Sequence, residues 1–341
     1  MAELCLRWQY LLRLLPGCSQ ALCLDSSSEK SFRESGPISH FRVWGVTPRV
    51  DKMTKDLGLE GQFPSVDIVR MVNDKCFSHS LEHRLGIGLP HSTLVSSIQD
   101  LEQAVHRCPY DWVLKHPFGV SGRERMLGRK KSLTSSIEGW ARKRMSQGFS
   151  LIFEPWVEKR HDFSLHFDVS ETGAVTFLGH CEFIFDPGGV HRGHRLNTGF
   201  SPHPGSLECG HKIVDSLAGL GYWGPVGIDS LTGILGRRAI VRPLVEINAR
   251  CSFGLLALSL GDWLPQGSCY LWWHPSRQRA AHSRALLSFR PLPSSGSREL
   301  EPGYYRLPVP IDPKGETETV IVVAQNEKEL IHLEEKLYLF F

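Results

Sequence analysis

Apolar and polar residues alternate without a break over Val245-Glu246-Ile247-Asn248-Ala249-Arg250. Successive side chains of a β-strand point to opposite faces, so this segment predicts a strand with Glu246, Asn248 and Arg250 on one side. Upstream, Pro225-Val226-Gly227-Ile228-Asp229 is an apolar run that ends in a carboxylate. Residues 231–238 hold Gly233 and Gly236 and read as a hairpin connection, which brings Asp229 roughly level with Glu246. Three more strands are predicted: residues 111–115, residues 150–158 with a break at Pro155, and the half-buried residues 162–169. Helical spacing marks residues 73–85, stopped by Gly86, and residues 97–105, carrying Ile98, Leu101 and Val105 on one face. Residues 130–147 predict a basic, solvated helix, and a strand at 317–324 precedes a helix at 327–337. Near the start, residues 4–15 read as a helix and 21–24 as a short strand. Residues 26–37, 186–204 and 291–297 read as loops, the second a histidine-rich candidate lid. No internal repeat is visible.

Composition narrows the class. A chain of 341 residues is long enough for two or three lobes around a large core. Lysine and arginine number 39 against 36 acids, a net charge of +3, so neither nucleic acid nor a membrane surface is implied as partner. The cysteines number 9, an odd count with no Cys-x-x-Cys pair, which points to free thiols in a reducing, cytoplasmic compartment. Arg7 and Arg13 interrupt the apolar run of residues 4–15, so it reads as neither signal peptide nor membrane span.

The candidate chemistry sits on three segments. Asp229, Glu246 and Asn248 offer hard oxygen ligands of the kind Mg²⁺ takes alongside substrate phosphates. The alternative on these residues alone is a solvent-facing strand with an incidental Glu246–Arg250 ion pair. Lys115 ends the strand at 111–115 and runs into a loop with Gly119 and Gly122, whose backbone N–H groups could approach phosphate oxygens. The break at Pro155 exposes backbone groups that can pair with an adenine edge, although an ordinary strand-turn-strand fits the same residues. His191, His194, His203, Cys209 and His211 lie close in sequence, but their spacing matches no common zinc site. Cys251 has no evident histidine base and reads as a small packed thiol.

Taken in order, these segments resemble the ATP-grasp superfamily. The matching blocks are Val72-Asn73-Asp74-Lys75, Val113-Leu114-Lys115 with its glycine loop, the hinge from Glu154 to Val157, Gly221 through Asp229, and Glu246-Ile247-Asn248-Ala249-Arg250. They span about residues 66–260, over half the chain. The resemblance implies an α/β (α+β) fold with the nucleotide held between two α+β lobes. It implies an N-terminal pre-ATP-grasp-like lobe at 1–72, an ATP-grasp core at 73–265 with its small glycine-loop lobe about 110–155, and a C-terminal segment at 266–341. It further implies ATP and Mg²⁺, or Mn²⁺, as cofactors of an ADP-forming carboxylate–amine ligase that passes through an acyl phosphate. Asp229, Glu246 and Asn248 would hold the metal. Lys75, Lys115, Gly119 and Gly122 would meet phosphates, while Glu154, Trp156, Val157 and Glu158 would meet adenine and ribose, Trp156 mainly through its backbone. Arg250, with Lys115, would serve catalysis. A kinase acting on a small molecule and a non-catalytic ATP-binding module are the alternatives, and a homo-oligomer stays open. One departure stands out: Glu124 lies where the family more often has glycine, and a carboxylate there could repel a triphosphate.

Overall fold

The structure is a computed structural model that describes residues 43–56, 58, 61–119, 124–185, 191–273, 289–291, 300–306 and 319–340. In chain order these form α1 (Pro48–Asp56), α2 (Val66–Val72), α3 (Lys75–Arg84), β1 (Thr93–Val95), α4 (Ile98–Arg107), β2 (Trp112–Lys115) and β3 (Arg125–Gly128). Next come α5 (Ser135–Met145), β4 (Leu151–Pro155), β5 (Glu158–Val169), β6 (Val175–Phe185), β7 (His191–Leu196), α6 (Pro204–Gly219), β8 (Gly224–Leu235) and β9 (Arg238–Asn248). The remainder are α7 (Phe253–Ser259), β10 (Cys269–Trp273), β11 (Phe289–Pro291), β12 (Gly303–Arg306), β13 (Val320–Ala324) and α8 (Glu327–Phe340). The expected elements at 4–15 and 21–24, and the loop at 26–37, lie outside the described residues. The chain divides into two compact units, one comprising residues 43–179 and 202–251, the other 180–201 and 252–341 together with the N-terminal residues.

The first unit carries the candidate site. Its small sheet has the order β1-β4-β2-β3. Helix α4 starts at a reciprocal cap, in which Asp100 N–H donates to Ser97 Oγ and Ser97 N–H to Asp100 Oδ2. Its apolar face, Leu101, Ala104 and Val105, packs with Trp112, Leu114, Leu151 and Phe153 into one core, joined by Ile137 and Ala141 of α5. Helix α3 also starts at a side-chain cap, with Cys76 N–H donating to Asp74 Oδ1 at 2.7 Å. It ends where Gly86 adopts a φ of 67°, as a glycine just past a helix does.

The second layer of this unit is the antiparallel ladder β5-β8-β9. Phe163, Leu165 and Phe167 are fully buried, and Leu165 and Phe167 touch Gly210 of α6. The opposite face carries Ser164 and His166 of β5, which pair in register with Asp229 and Gly227 of β8. Asp229 in turn faces Glu246, and Gly227 faces Asn248. The hairpin differs from its expected form. Residues 231–235 and 238–242 are paired strand, and the connection is only Gly236-Arg237, with Gly236 at φ 64°. The irregularity falls instead between Asp229 and Leu231, opposite Pro243. Proline has no N–H for the ladder, and Ser230 Oγ donates to the Pro243 carbonyl at 2.8 Å across the bulge.

In the second unit the strand order is β11-β12-β13-β10-β7-β6, antiparallel except for β11 beside β12. Leu271, Trp273, Val320, Val322, Leu330 and Leu337 form its core. The expected loop at 186–204 is replaced over residues 191–196 by β7, which pairs with both β6 and β10. Histidines and arginines mask this strand in the sequence, yet Gly193, His194 and Leu196 are buried within the sheet. Residues 186–190 lie outside the described residues. Among the described residues no helix is long and apolar enough to cross a membrane.

Candidate active site

The register that closes β8 on β9 places Asp229 directly opposite Glu246, as the alternation predicts. Two carboxylates in one cross-strand pair repel, and burial penalises the ionised form. The Asp229 carboxyl is accordingly pushed up to about 7, by burial first and by the Glu246 charge second. Asn248 hydrogen-bonds Asp229, and its Oδ1 accepts from Arg250 Nη2 at 2.9 Å. Glu246 pairs with Lys75, whose Nζ lies 2.8 Å from Oε1, so the expected alternative pairing with Arg250 is replaced by a cation from α3. Two carboxyl groups and an amide on one face are hard oxygen donors of the kind that hold a divalent cation whose remaining ligands are phosphates and water. Among the described residues no three His, Cys, Asp or Glu side chains converge as a metal site. Two of the histidines weighed for zinc have protein partners. His203 caps α6 by accepting from Gly205 N–H, and His211 packs edge-on against Phe167.

Lys75 is the first residue of α3, and its Nζ also donates to the Gly119 carbonyl at 2.6 Å. The turn at Gly119 is tight. A Cβ there would sit 3.0 Å from Glu124 Cβ and 3.2 Å from the Glu124 carbonyl, so a larger residue would push the two sides of the loop slightly apart. Gly122 lies outside the described residues. Glu124 does not stand as an uncompensated charge: Arg144 Nη2 lies 2.8 Å from its Oε2 and holds the carboxyl below its usual range. The expected repulsion of phosphate at this position therefore has a counterion built in.

Lys115 ends β2 with its Nζ 2.5 Å from Glu154 Oε2. Burial lowers its pKa while the Glu154 carboxylate opposes that shift. Glu154, expected at the adenine through the hinge, lines the cavity while its carboxylate turns to buried cations. Arg242 Nη2 and Nη1 donate to its two oxygens at 2.6 and 2.9 Å. The same guanidinium grips Glu82 with Nε and Nη2, both at 2.9 Å. Burial acts to raise the Glu154 carboxyl, yet Arg242 and Lys115 outweigh it and hold it well below the carboxylate range. Arg242 is missed by a reading of the sequence, because the bulge at Pro243 hides its parity with Glu246. The register restores it: Leu231 pairs with Arg242 and Asp229 with Glu246, so both face the cavity.

The hinge follows β4. Trp156 N–H donates to the Asp111 carbonyl at 2.6 Å, which leaves its carbonyl as the group for the backbone role expected of it. Trp156, 37% exposed, also offers its ring, over which the Arg125 guanidinium lies at 5.8 Å from the centroid. Val157 is buried against Gly233, where a Cβ would clash with Val157 Cγ1 at 2.7 Å. Lys75, Lys115, Glu154, Trp156, Val157 and Glu246 line one cavity together with Arg242 and the glycine-loop residues Gly119 and Glu124. Glu158 is outside that lining and pairs with Arg160 on an exposed edge. Cys251 is buried with its Sγ toward the Val43 carbonyl, as expected of a packed thiol. Asn73 closes two bonds on Ala249, accepting from its N–H at 2.9 Å and donating to its carbonyl at 3.4 Å.

No protein-family model and no curated protein matches the sequence. Solved structures match the fold. N5-carboxyaminoimidazole synthase from Aspergillus clavatus, in complex with ADP and 5-aminoimidazole ribonucleotide, aligns with a TM-score of 0.61 at 11% identity, over 97% of this chain and 95% of that one. Biotin carboxylase from Campylobacter jejuni, in a β-γ-ATP complex, aligns at 0.60 and 11% identity, over 86% of this chain and 72% of that one. N5-carboxyaminoimidazole ribonucleotide synthetase from Thermus thermophilus aligns at 0.56 and 16% identity, over 93% and 85%. These likenesses show that the chain has the ATP-grasp fold.

Proposed function

We propose that the protein is an ADP-forming ligase that activates a substrate carboxylate as an acyl phosphate for attack by an amine. The observation that carries this reading is the convergence of Lys75, Lys115 and Glu246 on one cavity, with Asp229 directly across the strands from Glu246, Asn248 ending β9 and Arg250 bonded to Asn248 just beyond it. The nucleotide complexes of similarly folded proteins support ATP as the co-substrate. Residues 73–265 would then be the ATP-grasp core, preceded by a small lobe at 1–72 and completed by 266–341.

A substrate carboxylate oxygen would attack the γ-phosphorus, forming the O–P bond of an acyl phosphate as the bond to the ADP oxygen breaks. The amine would then attack the acyl carbon, giving an amide as inorganic phosphate leaves and the nitrogen sheds its proton. Phosphoryl transfer asks a protein for positioning and charge neutralisation. Lys75 and Lys115 would bind phosphate oxygens, and the Trp156 ring with the buried Val157 would stack on and wall the base. Asp229, Glu246 and Asn248 would hold Mg²⁺ or Mn²⁺, which supplies charge neutralisation at the β- and γ-phosphates when bound. Arg250, already fixed by Asn248, would stabilise the oxyanion that develops at the acyl carbon. Screening ADP release with Mg-ATP against paired pools of small carboxylates and amino acids tests the reading. ADP should appear only when a carboxylate and an amine are both present. Release that needs a hydroxyl acceptor alone would make the protein a kinase.

A further inference from the structure

Three buried charges and the partly buried Lys115 are joined through one side chain next to the candidate site. Arg242 is 3% exposed, Glu82 2% and Glu154 3%. The guanidinium uses one edge for Glu82 and the other for Glu154, and Glu154 passes on to Lys115. Charges balance, two acids against two bases, so the cluster adds no net attraction for a phosphate. Its effect is geometric. Lys75 and Glu82 are seven residues apart on α3, which puts them on one helix face. Arg242 and Glu246 share one face of β9. The helix thus meets the strand through two ion pairs of opposite polarity, Lys75 with Glu246 and Glu82 with Arg242. Through Glu82, Arg242 sets where α3, and so Lys75, lies along β9. Through Glu154 it sets where the Lys115 ammonium lies.

We propose that Arg242 is a positioning residue of the nucleotide site, fixing the separation of the Lys75 and Lys115 ammonium groups that grip the phosphates. The inference rests on reading the cavity as a nucleotide site. Its physical motive is that burying an ion network is a poor way to gain stability, since apolar residues of the same volume serve folding as well or better. What a planar, two-edged guanidinium supplies is a fixed angle and distance between two carboxylates on different elements. The carboxylates then hold the helix and the lysine.

The test compares a ligand with phosphates to one without. Binding of Mg-ATP, by calorimetry, and of adenosine, by ligand-observed NMR, is measured for the wild type, Arg242→Lys and Glu82→Gln. A lysine keeps the charge but cannot bridge two carboxylates in a plane. Arg242→Lys is expected to weaken ATP at least about tenfold and to leave adenosine within about twofold. Parallel loss of both ligands would assign Arg242 to the fold alone and overturn the proposal, as would unchanged ATP binding. Should Arg242→Lys not fold, Glu82→Gln decides. It leaves the cluster one positive charge richer, so a pure charge effect tightens ATP, whereas a positioning role weakens it about threefold or more with adenosine unchanged. A wild type that binds neither ligand would remove the nucleotide reading itself, and this inference with it.

Discussion

Lys75 Nζ lies 2.8 Å from Glu246 Oε1, so the cation expected on the phosphates rests against a carboxylate expected on the metal. The two groups neutralise each other, and a divalent ion must displace the ammonium to reach Glu246. ATP offers that ammonium another anion, which makes metal and nucleotide binding cooperative. Lys75→Met is therefore expected to bind Mn²⁺ without nucleotide about tenfold more tightly than the wild type while binding ATP more weakly. Electron paramagnetic resonance titration of free Mn²⁺ reads the first effect and calorimetry the second. Equal Mn²⁺ uptake by the two proteins would show that the ammonium does not compete.

Asp229 ties stability to pH. Its carboxyl is raised to about 7 by burial and then by Glu246, against an ordinary value of 3.8. Between about pH 4 and pH 7 the unfolded chain has released this proton and the folded chain still holds it. The folded state is thus favoured least above pH 7, and the penalty disappears as pH falls toward 4. Asp229→Asn removes the titration, so its melting midpoint should exceed that of the wild type at pH 8 and approach it at pH 4. Mg-ATP should raise the wild-type midpoint at pH 8, where a cation relieves the pair, and do little for the variant. A constant difference between the two proteins from pH 4 to pH 8 would detach Asp229 from the effect.

The carboxylate pair was legible because strict alternation over 245–250 fixes which side chains share a face, and the short apolar run to Asp229 leaves one way to fold it back. The expected hairpin connection at 231–238 was too long, since Gly233 reads as a turn residue when it is in fact a strand glycine pressed against Val157 and Glu158. Arg242 stayed hidden for a related reason. Pro243 breaks the pattern, and only the paired strand shows that the bulge preserves facing. Glu154 sits on its expected strand and lines the cavity, but its side-chain partner is not legible, because nothing local to 150–158 announces a guanidinium 88 residues away. Strand β7 was read as a loop because its histidines and arginines look solvent-facing until strands on both sides cover them.

The glycine-loop lobe offers a test of packing apart from chemistry. A Cβ on Gly128 would fall 2.1 Å from Trp112 Cζ2. The indole cannot swing aside freely, because its Nε1 donates to the Lys130 carbonyl at 2.7 Å and the ring is fully buried. Gly128→Ala should therefore cost about 1–3 kcal/mol, as overpacking of a filled core does. Pairing it with Trp112→Phe should recover part of the loss, since the smaller ring vacates the contested space. Denaturant midpoints of the two single variants and the double variant measure this. Strict additivity of the two losses would mean that the clash is relieved elsewhere.

Asn73 separates orientation of the reacting groups from nucleotide binding. It ends α2, and its amide makes both hydrogen bonds to Ala249 that a neighbouring strand would make, between Asn248 and Arg250. Its Nδ2 also holds the Val69 carbonyl at 2.7 Å. The end of β9 with its proposed metal ligand Asn248, and the proposed oxyanion cation Arg250 just beyond it, are thereby pinned to the helix that precedes Lys75. Asn73→Ala leaves the Ala249 N–H without its acceptor, at a cost of about 1–3 kcal/mol where no water replaces it. Asn73→Asp keeps an acceptor for that N–H but loses both donors. If the clamp orients Asn248 and Arg250, kcat should fall in the order Asn, Asp, Ala, with a larger drop than the loss of folded protein explains. KM for ATP should change little, because the cavity lining is untouched. Steady-state ADP release, measured well below each melting midpoint, provides the comparison. A kcat that tracks only the folded fraction would reduce Asn73 to a structural cap.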